Sequence, residues 1–577
     1  MPVRFYDSWT YHAFFPARWV QEGKIFLIPS VFGDLAPTYA PIVTESWMAW
    51  LMLPLHSDVA ARISGIVPLM LLFFGILSIT NRLQSSTLSM FVPASLAVLS
   101  PWALSQGSGT GADLPFAAGL IAALALMPII AEKPNSIGIE LLCGAGFGIC
   151  AGTKFIGLPA AMIGGLPLLF SALKKKIHFR RISFIALSAL VIGGYGYIRN
   201  LILTGNPFFP LDITVGGIRI LPGIYSRDIM IAAPFHVPNI NWAIVILYAA
   251  FGVIFGVCAF CAYLIVSIRF ARDKSVSLLS WPIIFPLIWF AFHFLLIPYN
   301  SQERFLLPAI SLAFVAVSII DRKGFAGLPL GLAAQALYLA LSINFKLKLA
   351  FMVDQDFSLP VGSIFTNFGR LFVWLLILLG CLLFVLSGNS RRLSFNKVVL
   401  MYLGTGFIFI TLFGVIWPEK GILSSLDGNS LIANDLENGC IISSRTQGKV
   451  VAYAGTNAPY PLLGVYFTNK VIYMPINKEG YIPHIAWKNQ GKIQFDTDNA
   501  PSLYRSKTDQ DWWSDRMKKE VSAICIRQLS SMARSQQWSD PDGFPVEREL
   551  VKKLADNFKQ IQSTKNAIVL INNSLPP

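Results

Sequence analysis

Asp7, Tyr11 and His12 place a carboxylate, a phenol and an imidazole in one short polar stretch, Arg4-Phe5-Tyr6-Asp7-Ser8-Trp9-Thr10-Tyr11-His12. Asp7 and Tyr11 are four residues apart, so a helix sets them on one face with His12 beside them. Those three groups suit proton transfer. The plain structural alternative is a solvated loop entering an interfacial helix, with Tyr11 and Trp19 as anchors. Local composition favours that alternative; the remainder of the chain shifts the balance.

Further ionisable residues sit at the ends of apolar runs. Asp34 and Glu45 follow in the same N-terminal stretch. Asp113 heads an apolar run after the glycine-rich turn Gln106-Gly107-Ser108-Gly109-Thr110-Gly111. Lys154 interrupts a nearly continuous apolar stretch after Gly152-Thr153. Arg199 lies in Tyr197-Ile198-Arg199-Asn200, and Arg304 opens Arg304-Phe305-Leu306-Leu307-Pro308. Each has a structural alternative. Asp113 fits a helix N-cap, Lys154 fits snorkelling, Arg199 fits an interface anchor, and Arg304 fits a local pair with Glu303. Taken together, several cations and a carboxylate on one side of a membrane suit a lipid phosphate. Arginine grips phosphate oxygens in a planar fork and lysine acts as a point charge. A base could then deprotonate an acceptor hydroxyl while the cations stabilise a phosphate leaving group.

The elements that must position these residues are membrane helices. The chain has 577 residues, 54% hydrophobic and 13% charged, with mean hydropathy +0.58. Soluble domains carry about 25% charged residues, so a polytopic α-helical membrane protein is expected. A spanning helix needs about 20 apolar residues. Runs near 58–80, 86–104, 113–131, 137–153, 155–173, 181–202, 241–268, 277–298, 304–320, 324–344, 369–387 and 396–417 meet that need, about twelve in all. Basic clusters such as Lys174-Lys175-Lys176 with Arg180 and Arg181, and Arg391 with Arg392, fall in alternate loops and mark the cytoplasmic side. Asp7, Glu45, Asp113, Lys154, Arg199 and Arg304 then share the outer side. Lys346 and Lys348 run against the rule. Residues 1–57 read as a first outer loop with two interfacial helices, 13–24 ending at Gly23 and a second from Pro41 to Leu53. An outward N-terminus without a preceding span implies a further helix upstream of Met1.

The domains expected are therefore 1–57 as outer loop, 58–417 in the membrane and 418–577 as a soluble extracytoplasmic α/β unit. In that last part strands are expected at 449–453, 471–474, 521–527 and 566–572, and helices at 507–520 and 545–560. It carries no phosphate-binding glycine loop or nucleophile elbow; it is read as a cover for the outer mouth or an acceptor-recognition unit, against a passive cap. The net charge of +15 is concentrated before residue 418, with 27 basic and 15 acidic residues there. That is the positive-inside pattern, and no basic-aromatic motif points to nucleic acid. The six histidines are scattered without zinc spacing. His293 reads as a core hydrogen-bonding residue. Cys258 and Cys261 have redox spacing inside an apolar run and read as packing; Cys440 and Cys525 could pair if the tail is exported.

The stretches Tyr6-Asp7-Ser8-Trp9-Thr10-Tyr11-His12 with Arg18-Trp19, then Gly111-Ala112-Asp113-Leu114-Pro115, Gly152-Thr153-Lys154, Tyr197-Ile198-Arg199-Asn200 with Thr204-Gly205-Asn206-Pro207, and Arg304-Phe305-Leu306-Leu307-Pro308 follow one another in order. In this the chain resembles the GT-C superfamily of membrane glycosyltransferases, in particular bacterial relatives of aminoarabinose transferase and protein O-mannosyltransferase. The resemblance covers most of the chain. It implies a polyprenyl-phosphate-linked sugar as donor, and a glycan, lipid or protein as acceptor. It implies an enzyme of the bacterial inner membrane, with Asp7 as base and Lys154, Arg199 and Arg304 on the lipid phosphate. Asp113 is the preferred second acidic residue, with Asp34 and Glu45 as alternatives; Tyr11, His12 and Glu45 are expected to bind substrate. The chemistry is a single inverting displacement for which fixed cations need neither metal nor cofactor. The family's first spanning helix is missing from the match. Two rivals remain: a flippase or transporter of a lipid-linked glycan, which needs ionisable groups inside spans, and a glycan polymerase or ligase, which needs a large central outer loop.

Overall fold

The computed structural model describes residues 7–28, 36–83, 87–100, 103, 106–107, 110–133, 136–232, 236, 278, 280–300, 302–320, 448–464, 466–474, 476–477, 505–506, 510–529, 542–554, 556–563 and 567–573. Asp34, Arg4 and the candidate spans at 241–268, 324–344, 369–387 and 396–417 lie outside them.

The chain begins with a π-turn, Ser8–His12, and continues into α1 (Phe14–Glu22), which stops at Gly23 in the left-handed region, φ 65°. Short α2 (Ala36–Tyr39) and α3 (Val43–Met52) complete the N-terminal layer. A helix is present at each of the two expected positions, 13–24 and Pro41–Leu53. Trp19 is no interface anchor: it is buried and its indole donates to the Phe26 carbonyl at 2.9 Å.

A bundle of apolar helices follows: α4 (Ile66–Leu83), α5 (Thr87–Leu99), α6 (Asp113–Glu132), α7 (Ile137–Thr153), α8 (Gly157–Leu173), α9 (Phe179–Gly193) and α10 (Tyr195–Thr204). The hairpin β1 (Ile213–Val215) and β2 (Ile218–Leu221) and the short α11 (Arg227–Ala232) come next, then α12 (Trp281–Leu296) and α13 (Leu307–Ile320). Their shared core includes Leu72, Phe116, Leu120, Leu124, Trp289 and Ile310. Among the described residues two helices, α4 and α6, are long and apolar enough to cross a membrane. The helix expected from residue 58 starts only at Ile66, after a 3₁₀ turn over Ala60–Ile63.

The expected span 181–202 is broken instead of continuous. α9 and α10 meet at 69° around Gly194, and the pair passes for a span only when taken together. Packing explains the break. Gly144, Gly148 and Gly152 form a ridge at four-residue spacing on α7, and it presses against Ile185, Ala189 and Gly193 of α9. A Cβ at Gly148 would come within 2.8 Å of the Ala189 carbonyl. The ridge holds α9 as far as Gly193; beyond it Asn200 donates to the carbonyls of Tyr39 at 2.8 Å and Phe209 at 3.2 Å, which draws α10 toward the N-terminal layer.

Charged pairs mark the far end of the bundle. Arg82 pairs with Glu132, and Arg181 pairs with buried Glu140 while donating to the Lys133 carbonyl. His293 is buried and donates from Nε2 to the Asn300 carbonyl at 2.9 Å, the core role expected of it.

The C-terminal unit is a five-stranded sheet in the order β4-β3-β7-β9-β8. Its strands are β3 (Val450–Ala454), β4 (Lys470–Tyr473), β7 (Ala523–Arg527), β8 (Phe558–Ser563) and β9 (Ala567–Asn572); β5 (Ile476–Asn477) and β6 (Arg505–Ser506) form a separate small pair. Helices α14 (Gln510–Glu520) and α15 (Glu547–Lys552) cover one face through Trp513, Met517, Leu550 and Val551. The helix expected over 545–560 ends at Lys552, and residues 558–563 form an edge strand antiparallel to β9. The Asn557 amide bonds the Leu554 carbonyl at 2.9 Å and turns the chain between them. Cys525 is disulfide-bonded; Cys440 lies outside the described residues.

The other face of the sheet carries a 3₁₀ turn, Tyr460–Leu463, which docks on the N-terminal layer. Tyr460, Leu463 and Phe467 pack with Ala13, Ala17, Val20, Met48 and Met52. The Tyr460 hydroxyl donates to buried Asp58 at 3.0 Å, and the Gln21 amide donates to the Phe467 and Asn469 carbonyls at 2.6 and 2.8 Å. Removing a donor from a buried carboxylate costs about 1–3 kcal/mol. Tyr460→Phe is therefore expected to lower the melting temperature and to raise hydrogen exchange in residues 13–20 together with 460–469; unchanged exchange in both segments would contradict the docking role.

Candidate active site

Four chain segments bring their ionisable ends to one place. The π-turn supplies Asp7, Tyr11 and His12; the first residue of α6 is Asp113. Lys154 follows α7 in extended backbone, φ −150° and ψ 156°, and Arg304 sits on the 3₁₀ turn Glu303–Leu306 that leads into α13. The indole of Trp289 holds that turn, donating to the Phe305 carbonyl at 3.0 Å.

Arg304 is the centre. Its Nη1 donates to Asp7 Oδ2 at 3.0 Å, and its Nε lies 3.9 Å from Asp113 Oδ2. Lys154 Nζ donates to Asp113 Oδ1 at 2.5 Å. The Phe305 ring floors both cations, 5.1 Å from Lys154 Nζ and 5.8 Å from the Arg304 guanidinium carbon. Two carboxylates and two cations thus neutralise one another. The cluster is closed on one side and open on the other: the Asp113 side chain is 1% exposed, while Asp7 and Arg304 are 28% exposed. Arg304 Nε is buried and has no hydrogen-bond partner.

The π-turn matters for the geometry. Its closing bond runs from the Ala13 amide to the Ser8 carbonyl, 2.9 Å, one residue longer than an α-helical bond. The wider turn brings residue i+5 onto the side of residue i, so His12 joins Tyr11 on the side of Asp7, where an α-helix aligns i+3 and i+4. The rings of Tyr11 and His12 lie 4.2 Å apart at 52°. His12 Nδ1 is 2.5 Å from Glu45 Oε1, and both side chains are buried. Burial alone would push the Asp7 carboxyl up; the Arg304 guanidinium, with His12 and Lys154, outweighs it and holds Asp7 below the usual carboxylate value. Burial and the Asp7 charge push the Tyr11 phenol well above its ordinary value, so it stays a neutral donor.

Of the residues expected at the site, Asp7, Tyr11, His12, Glu45, Asp113, Lys154 and Arg304 converge. Arg199 does not join them. Its guanidinium donates to Asn200 Oδ1 at 3.0 Å and to the Ala40 carbonyl at 3.2 Å, which ties α10 to the N-terminal layer. Sequence reasoning passed over Phe305, although it adjoins Arg304, and gave no partner for Glu45. Among the described residues no group of three or more His, Cys, Asp or Glu side chains is placed to hold a metal ion.

A carboxyl whose folded pKa is depressed adds stability above its unfolded value, near 3.8, and loses it as pH falls through the lower folded value. Arg304→Gln removes the main opposition to burial, so Asp7 is expected to titrate at higher pH than in the parent. Isotope-edited infrared titration of the Asp7 carboxyl reads this directly; an unmoved midpoint would break the assigned coupling.

No protein-family model matches the chain, and no curated protein matches it significantly. Among solved structures it is similar to ArnT from Cupriavidus metallidurans bound to undecaprenyl phosphate, at 14% identity and a TM-score of 0.56, over 100% of this chain and 95% of that one. It is similar to the same ArnT in the apo state at 15% identity and a TM-score of 0.53, over 98% and 93%. At such identities the likeness concerns the fold: the chain has the fold of those ArnT structures, the fold expected from the resemblance in its sequence motifs.

Proposed function

We propose that the chain is a membrane glycosyltransferase that moves a sugar from a polyprenyl-phosphate donor to an acceptor hydroxyl on the outer face of a bacterial inner membrane. The observation that carries this reading is the half-open Asp7–Arg304–Asp113–Lys154 cluster, in which the buried Arg304 Nε–H has no hydrogen-bond partner. A buried cationic donor without a partner favours an anionic ligand. The fold adds support, since one similar structure holds undecaprenyl phosphate.

The resting cluster is self-neutralised, so a phosphate competes with Asp7 and Asp113 for the two cations. As Arg304 and Lys154 turn toward the phosphate, Asp7 loses part of the field that depresses its basicity. Donor binding thereby readies the base. Asp7 then takes the acceptor proton, the acceptor oxygen attacks the anomeric carbon from the face opposite the phosphate, and the carbon–oxygen bond to the phosphate breaks. The cations stabilise the charge that collects on the departing lipid phosphate. Asp113 keeps Lys154 and Arg304 in place, and Tyr11 donates a hydrogen bond to the sugar or acceptor. The sugar, and the choice among glycan, lipid and protein acceptors, are set by groups that line the rest of the cavity.

Asp7→Asn is expected to lower kcat by about 10²-fold or more with little change in donor KM. Lys154→Met acts chiefly on donor KM, and Arg199→Ala leaves transfer near the parent level. The assay is transfer from a polyprenyl-phosphate sugar in vesicles, with the product's anomeric configuration read by NMR. Full activity of Asp7→Asn, or a product that retains configuration, would sink the mechanism.

A further inference from the structure

The structure places a second carboxylate behind the imidazole next to Asp7, and we propose that His12, oriented by Glu45, carries the acceptor proton away from Asp7. This rests on the glycosyl-transfer reading and adds to it a proton path that an Asp base alone does not have.

Three features point the same way. The i→i+5 closure of the π-turn sets His12 on the side of the turn that carries Asp7, and the two side chains are electrostatically coupled. Glu45, from α3, is buried and 2.5 Å from His12 Nδ1; its other oxygen, Oε2, is buried without a hydrogen-bond partner, so this carboxylate is committed to the imidazole. In the tautomer that donates from Nδ1 to Glu45, the ring's lone pair lies on Nε2. The charged and titratable groups around the ring are Glu45 from α3 and Asp7 and Tyr11 from its own turn, with Arg304 and Lys154 acting on Asp7 from beyond it.

The need for a second group follows from Arg304. Arg304, even when it is turned toward the phosphate, stays close enough that part of its field still acts on Asp7 and favours loss of the proton that Asp7 has taken. A base that returns the proton to the acceptor stalls the displacement. His12 offers another destination: the proton leaves the acceptor oxygen for the Asp7 carboxylate, passes to Nε2, and the imidazolium so formed is paired with Glu45. The new bond joins acceptor oxygen to anomeric carbon, the electron pair of the broken bond goes to the lipid phosphate, and the imidazolium releases its proton to solvent after product forms. Glu45 is a positioning residue that acts through His12.

The test is chemical rescue of His12→Ala in the full chain, in vesicles with a polyprenyl-phosphate sugar. The variant should lose about 10²-fold in kcat. Added imidazole should restore part of it, more basic imidazoles of similar size should restore more, and pyrazole, which has the same shape but little basicity, should restore almost none. Equal rescue by pyrazole would mean that His12 only fills space, and undiminished activity of the variant would end the proposal outright. If His12→Ala does not fold, judged by its melting profile, Glu45→Gln decides: a kcat about tenfold lower at unchanged donor KM supports the path, and an unchanged kcat overturns it. Parent protein inactive with every such donor would instead refute the glycosyl-transfer reading, so the two failures are distinguishable.

Discussion

The bridge from Arg304 to Asp7 and Asp113 is the contact on which the arrangement of the helices converges. Asp7 belongs to the N-terminal layer, Asp113 to the start of α6, Arg304 to the turn before α13, and Lys154 to the gap between α7 and α8. Leaving any one of these charges buried without its partner is costly, because the gain from pairing replaces hydration that burial has removed. The four segments therefore hold each other in register. The surrounding packing is built to permit it: the glycine ridge on α7 brings that helix hard against α9, so that the chain reaches Lys154 at a fixed depth, and Trp289 ties down the turn that carries Arg304.

A self-neutralised cluster lets two cations sit close together without repelling each other. Two cations alone, mostly buried, would raise each other's energy and would shift toward the neutral form. Pairing them with Asp7 and Asp113 keeps them charged. In the proposed mechanism an anion that binds the cations competes with these carboxylates, so binding at the cations and release of Asp7 would be one event. The Phe305 ring beneath Lys154 and Arg304 fits the same scheme, since an aromatic face supports cations without offering a competing acceptor oxygen.

Much of this was legible in the sequence. Ionisable residues at the ends of apolar runs are costly unless they have work to do, and that reasoning singled out Asp7, Asp113, Lys154 and Arg304, which meet. It singled out Arg199 by the same logic, and there the rule was blind to a local competitor: Asn200 and the Ala40 carbonyl take up its donors. The π-turn was not legible. Its sequence, Ser-Trp-Thr-Tyr-His, carries no glycine or proline to mark an extra residue in the turn, and its closure depends on tertiary contacts with α3 and with the 3₁₀ turn at Tyr460. The His12–Glu45 pair, 33 residues apart, follows from that closure and so was hidden with it. In the C-terminal unit the buried strands were plain from their apolar runs, whereas β8, an edge strand with polar Lys559, Gln560 and Gln562, read as the tail of a helix.

Sidedness can be argued without reference to loop charges. α6 starts at the cluster and ends at Glu132; α7 returns to Lys154, starting near Glu140. The pairs Arg82–Glu132 and Arg181–Glu140 therefore mark the opposite end of the bundle from Asp113–Lys154. The C-terminal sheet touches neither of those far pairs through any contact described above. It docks by Tyr460, Leu463 and Phe467 on the layer whose first turn carries Asp7. Asp58 anchors the contact just ahead of α4, and Gln21 anchors it at the end of α1. The sheet thus lies on the same side of the helices as the candidate site, and its docking turn braces the element that bears Asp7. An acceptor bound against that sheet would meet Asp7 from the half-open side of the cluster, where Asp7 and Arg304 are each 28% exposed.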